Sequence, residues 1–313
     1  GRIGTATGSM LFGGPFFLGN FMNGLLDIGS GSVTTTGLFT FASGTIQGGF
    51  GTLVIQGNVV TNSSTAFLVP DSGTVIYDGA SYMAPWLYND VVVRSSVSFS
   101  GQRASSTILG DLEVELPATF NVDNAGLSES DVNLDIRGSL NGVGNLNFQP
   151  SGDYGPTVSV TGALVASAGL TLGPTTILNV GNSFSQTGSL SISQNAHIRY
   201  TRDGLQGVLP LAYSRLSFVG TGPYILSAST TAVATTTIAV GATFELNGQR
   251  FEALGDLENA GLITSSTGSI LVHPVDYVRF TTGTGEIVAS YADGDWLFVT
   301  VKDSNLNMDG TSA

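Results

Sequence analysis

Asp303, Asn305, Asn307 and Asp309, followed by Gly310, place oxygen-bearing side chains at every second position ahead of a glycine. That spacing matches the opening of a calcium loop, where alternate positions supply ligand oxygens and a glycine makes the sharp turn. The bidentate Glu that closes such a loop would fall beyond Ala313. An Asx-rich turn presents the same residues in the same order. A second constellation is Asp131, Asn133, Asp135 and Arg137. With a period of two these share one strand face, while Val132, Leu134 and Ile136 take the other. Two carboxylates beside a sugar-binding Arg are what a polysaccharide-cleaving β-helix would use, and a solvated strand face with ion pairing asks for the same residue types. Glu113 and Glu115 flank Val114 in the same way. His197 and His273 lie far apart in the chain, with no acid or nucleophile at a diagnostic spacing. The runs Thr34–Thr36 and Thr235–Thr237 suggest ice binding, but consecutive threonines on a strand alternate between faces. No GxSxG, HExxH or phosphate-loop pattern occurs.

The elements carrying these residues read as short strands. Runs rich in Val, Thr, Ile and Phe are separated by Gly, Asn or Asp, as in Gly51–Gln56, Gly73–Tyr77, Asp90–Arg94, Ser189–Ser193 and Ser269–Val272. Of 313 residues 43 are Gly, with no Gly-X-Y period, so turns are frequent and collagen is excluded. Hydrophobic residues make up 42%, enough for a sizeable core, and charged residues only 11%. The exposed faces must therefore be Ser, Thr, Asn and Gly. A net charge of −13, with ten scattered basic residues, excludes nucleic acid and anionic membrane surfaces as partners. The absence of Cys rules out thiol chemistry. The apolar stretch Leu11–Leu26 is broken by Pro15, Asn20, Asn23 and glycines, too early for a membrane span, and it lacks the features of a signal peptide. The chain opens on Gly rather than Met, as a processed or excised segment would.

An internal repeat sets the architecture. Tyr77 in GTVIYDG matches Tyr200 in AHIRYTRDG, and Pro85–Val91 matches Pro210–Leu216, with Tyr88 falling on Tyr213. Ala118–Val122 matches Ala242–Leu246 at nearly the same offset, and Gly138–Gly144 matches Gly255–Gly261 at a slightly shorter one. Indels between matching strands are what stacked coils tolerate. A coil of two or three strands cannot bury its apolar face alone, and stacking makes the core continuous. A repeat this long holds several coils of roughly 20–25 residues. The expected fold is all-β, a parallel β-solenoid (β-helix); tandem β-sandwich domains are the alternative.

The elements Tyr213–Phe218, Thr237–Gly248 and Leu254–Ile263 resemble repeats of large bacterial cell-surface and adhesin-like proteins, and Tyr88–Val91 is closer still to the first element. The resemblance covers about Gly73 to Val272. It implies a parallel β-solenoid in a secreted or surface-anchored protein, with no catalytic residue to carry over. The stretch from Trp296 to Gly310 resembles a strand and loop of Ig-like modules in surface-layer-type proteins. The expected organisation is an N-terminal β region and assembly segment over 1–72, the solenoid over 73–289, and a junction to a further module over 290–313. Within the first part Phe12, Phe16, Phe17 and Phe21 form an apolar cluster expected to pack against a neighbouring subunit or preceding chain. The functional expectation is a non-enzymatic structural or adhesive module at the cell surface, partnered by copies of itself, further modules or surface glycans, with calcium as its one cofactor. A carbohydrate-active β-helix and a trimeric phage-type spike are the alternatives.

Overall fold

Alternation of β-branched or aromatic residues with small polar ones dictates strands with one buried face. The computed structural model describes residues 2–4, 7–18, 25–41, 43–61, 66–80, 82–100, 105–123, 132–150, 154–265, 267–272, 277–281 and 298–302. Among them there is no α-helix, and every strand pairing but one is parallel. Apart from that one antiparallel pair, successive strands do not pair with each other. Each pairs with the strand one coil before and one coil after, which is the hydrogen-bonding scheme of a β-solenoid and not of the antiparallel sandwich. The described residues make about 12 coils.

The chain divides into two compact units, Gly1–His197 and Ile198–Ala313. In the first, one sheet runs through nine parallel strands from Ser9–Phe12 to Phe184–Gln186. Its inward positions form a ladder of Val33, Leu53, Val75, Val91, Leu112, Leu140, Leu164 and Phe184, each beside the next in register. All eight are buried. The step along this ladder is short from Val75 to Val91 and much longer from Leu112 to Leu140. The coil therefore keeps its strands in register and absorbs insertions at its corners. Close stacking at the corners needs glycine. A Cβ on Gly57 would lie 1.9 Å from the Gly37 carbonyl oxygen, and one on Gly222 would lie 1.8 Å from that of Gly204.

Stacking is already running at Arg2–Gly4, which pairs with Leu25–Asp27, and it passes through residue 73 where Thr52–Ile55 pairs with Thr74–Tyr77. At the ends of the apolar N-terminal stretch, Ser9–Phe12 pairs with Ser32–Thr35 and Leu25–Asp27 pairs with Thr45–Gln47. Leu26 is fully buried, Met10 and Phe12 are half-buried, and Leu11 is exposed. Phe16 and Phe17 lie on the strand Phe16–Leu18, which pairs with Phe39–Phe41; Phe21 is outside the described residues.

The second unit begins within the strand His197–Tyr200. Its three ladders end on Leu257–Asn259, Leu262–Thr264 and Ser269–Val272. Its core is aromatic. Phe244 stacks on Phe218 with ring centres 4.6 Å apart and meets Phe251 edge-on at 5.1 Å, while Tyr224 lies 4.9 Å from Phe218. The two members of the Ala-Thr-Phe match behave alike. Ala118, Phe120 and Val122 are buried, as are Ala242, Phe244 and Leu246. The one antiparallel pairing among the described residues joins Tyr277–Thr281 to Phe298–Lys302.

Candidate functional site

The strand Asn133–Ile136 shows how alternation places polar groups. Val132, Leu134 and Ile136 are buried, while Asn133 and Arg137 are exposed and Asp135 is half-exposed. Arg137 Nε approaches Asp135 Oδ2 at 3.4 Å, a surface ion pair within one strand face. The coil neighbours of Asp135 in register are Thr107 and Ser159, neither of them an acid. Asp131 lies outside the described residues. Glu113 is exposed, Val114 is buried, and Glu115 faces Arg94 at 3.3 Å. His197 is half-buried, and its backbone N–H donates to the Thr176 carbonyl. His273, Asp303, Asn305, Asn307 and Asp309 fall outside the described residues, and among those described no three His, Asp or Glu side chains come together as a metal set. The threonine runs alternate as a strand requires. Thr35 and Thr236 are fully buried, while Thr34 and Thr237 lie on the outer face.

Other surface carboxylates bind backbone. Asp90 Oδ1 accepts the Asp111 N–H at 2.9 Å, Asp111 Oδ1 accepts the Ser139 N–H at 2.7 Å, and Ser139 Oγ accepts the Ala163 N–H at 3.2 Å. A single corner position thus passes from coil to coil as a chain of side-chain caps for amides that would otherwise be free. Asp203 does the same in the second unit, where the amide and hydroxyl of Thr221 both donate to its Oδ1 and lower its carboxyl pKa.

The sequence repeat marks four tyrosines without showing what they do. Tyr77 and Tyr88 are fully buried with their hydroxyl oxygens 2.7 Å apart. The Ala84 N–H donates to Tyr77 Oη at 3.3 Å, and Tyr88 Oη donates to the Ala84 carbonyl at 2.6 Å. Each hydroxyl has one proton. Tyr88 gives its proton to the carbonyl, so Tyr77 must donate to Tyr88. The second unit repeats the ring around Leu209, which donates its N–H to Tyr200 Oη at 3.0 Å and accepts at its carbonyl from Tyr213 Oη, with the two hydroxyls 2.8 Å apart. In both places the clamped residue precedes a proline, Pro85 or Pro210, and a positive-φ glycine, Gly79 or Gly204, follows the first tyrosine. The chain leaves the regular ladder here. In the first unit a single bridge, Tyr82 to Ser98, stands where a strand would be. The tyrosines supply the hydrogen bonds that the interrupted ladder does not. Burial raises the pKa of Tyr77 and Tyr200 to about 12, and pushes Tyr88 and Tyr213 well above the usual value.

The outer faces carry rows of small polar side chains. Ser98, Asn121, Asn147, Thr171 and Ser191 occupy one outward register position on five successive strands. Asn147 Nδ2 donates to Asn121 Oδ1 at 2.7 Å. On a second face, Thr107, Asp135, Ser159 and Asn179 are aligned, and Asn179 donates to Ser159 Oγ at 2.9 Å. Ile28, Leu53, Leu68, Pro70, Val75 and glycines line a shallow dent that is open to solvent. No described helix is long and apolar enough to cross a membrane. No family model, curated protein or solved structure matches this chain.

Proposed function

We propose that this chain is a structural or adhesive module of an extracellular, cell-surface protein, acting without catalysis. The observation that carries the reading is the aligned row Ser98, Asn121, Asn147, Thr171 and Ser191. Strands spaced about 4.8 Å apart present it as a flat, uncharged hydrogen-bonding face. Such a face suits a surface glycan or a neighbouring copy of the same protein better than a small molecule, which needs concavity. The resemblance of Tyr213–Ile263 to adhesin-like repeats supports the same reading.

The test is a glycan array together with self-association measured by light scattering. Binding or self-association should fall at least severalfold when Asn121 and Asn147 are both replaced by Lys, and Asp135→Asn should leave it unchanged. Release of reducing sugar from a polysaccharide, abolished by Asp131→Asn or Asp135→Asn in a folded chain, would replace this reading with the carbohydrate-active one. A stable homotrimer would favour the spike.

Calcium at Asp303, Asn305, Asn307 and Asp309 belongs to the same proposal, since a cation there would stiffen the junction to a following module. Titration calorimetry should detect calcium binding that Asp309→Ala removes, and chelation should lower the melting temperature. No binding heat and an unchanged melting temperature would remove calcium from the account.

A further inference from the structure

Tyr82 heads the polar row of the first unit. It forms a parallel bridge with Ser98, so the two side chains take the same outward side, while Met83 next to it is buried. The Tyr82 ring is 55% exposed. The row therefore runs Tyr82, Ser98, Asn121, Asn147, Thr171, Ser191, with an aromatic ring at one end and small uncharged polar groups along the rest. The bond between Asn147 and Asn121 uses one group of each amide. Asn121 Nδ2 is left as a donor and Asn147 Oδ1 as an acceptor. Two residues earlier on the same strands, Thr119, Asn145, Gly169 and Ser189 make a second row on the same side. A Cβ on Gly169 would stand 2.8 Å from both Asn145 Oδ1 and Ser189 Oγ, so these two oxygens lean over a bare stretch of backbone.

Size and chemistry select an occupant. Positions about 4.8 Å apart on strands about 13 Å long give a face of roughly 300 Å². A stable protein partner needs about 800 Å² on each side, so a second copy finds too little here, whereas a linear chain laid along the row does not. Sugar hydroxyls both donate and accept, as Ser, Thr and Asn side chains do. A pyranose also has a C–H face, which packs on an exposed Tyr ring that loses little entropy when it is covered. Charge narrows the class. No member of either row is charged, Asp123 lies beyond Asn121 on the same face, and the net charge of −13 repels a polyanion. Resting on the adhesive reading of this face, we propose that it binds a neutral polysaccharide whose chain runs across the strands. Tyr82 stacks on one sugar ring, and Asn145 and Ser189 hold hydroxyls above Gly169.

Titration calorimetry on the whole chain tests this, with soluble hexasaccharides of glucose, mannose, galactose and N-acetylglucosamine, and with hexagalacturonate as the acidic comparator. At least one neutral hexasaccharide should bind, and more tightly than its disaccharide. Tyr82→Ala should weaken that binding at least tenfold, whereas Tyr82→Phe should leave it nearly intact, since stacking needs the ring and not the hydroxyl. Asn145→Ala should weaken it severalfold. Phe50→Ala removes a ring that is 79% exposed but lies outside both rows, and should change nothing. Absence of binding to every neutral hexasaccharide overturns the proposal. So does an unchanged affinity in Tyr82→Ala, an equal loss in Phe50→Ala, or tighter binding of hexagalacturonate. Self-association that is lost in the Asn121→Lys/Asn147→Lys chain, with no sugar bound, overturns the polysaccharide but keeps the adhesive reading. Cleavage of a bound hexasaccharide overturns that reading and leaves the sugar on this face.

Discussion

Phe244→Ala is expected to destabilise the second unit by about 3–5 kcal/mol, the range for deleting a buried aromatic from a packed core. The ring has no exposed surface, stacks on Phe218 at 4.6 Å and receives Phe251 edge-on at 5.1 Å. Its removal leaves a void that two other rings border, and neither can move far because each belongs to a strand fixed in a parallel ladder. Phe120→Ala, at the matching place in the first unit, should cost a similar amount. Phe50 lies in a corner and is 79% exposed, so Phe50→Ala should fall within about 0.5 kcal/mol of the parent. Urea unfolding followed by circular dichroism provides the comparison. A cost below about 1 kcal/mol for Phe244→Ala would mean that the coil collapses around the gap, against the close packing expected of protein interiors.

Phe120 and Phe244 also show why the fold was legible in the sequence. Inward positions of a narrow coil tolerate few sizes, so a large ring between small residues recurs wherever the cross-section recurs. Alternation alone correctly divided Val132, Leu134 and Ile136 from Asn133, Asp135 and Arg137. The N-terminal coils were harder to read as solenoid. Val33, Leu53 and Val75 stack in register, but they carry no repeated tyrosine or phenylalanine signature to align with later coils. Candidate chemistry was less legible because it depends on register between coils, and register is non-local. Asp135 sits beside Thr107 of the coil before and Ser159 of the coil after. The steps between coils are uneven, as Val75 to Val91 and Leu112 to Leu140 show. No fixed spacing could therefore say whether a second acid would stand next to it. The tyrosine clamp escaped for a related reason. The repeat marked Tyr77, Tyr88, Tyr200 and Tyr213, but their common target is the backbone of Ala84 or Leu209, and backbone groups leave no trace in side-chain patterns.

Those clamps make a second large effect, visible as alkaline unfolding. Tyr77 and Tyr200 hold their protons up to about pH 12 in the folded protein, and Tyr88 and Tyr213 are also raised by burial. In the unfolded chain tyrosines titrate near 10. Below pH 10 both states keep these protons and stability is flat. Above it the unfolded chain releases protons that the folded protein retains, so stability falls as pH rises through the folded values. The slope is about 1.4 kcal/mol per pH unit for each tyrosine taking part. The limb is easy to assign, because Lys302 is the only lysine and no cysteine is present. Tyr88→Phe should cost about 1–3 kcal/mol at neutral pH, since the Ala84 carbonyl loses its donor and the Tyr77 proton loses its acceptor. The double variant Tyr77→Phe/Tyr88→Phe leaves no hydroxyl to ionise at this clamp. It should flatten the alkaline limb of the first unit while leaving that of the second, and the couplings of the two single changes should be non-additive. Tyr82→Phe, at an exposed position, serves as the control. Urea midpoints at pH 9, 10 and 11 decide the matter. An alkaline slope unchanged by the double variant would show that the buried hydroxyls are not what the folded chain protects.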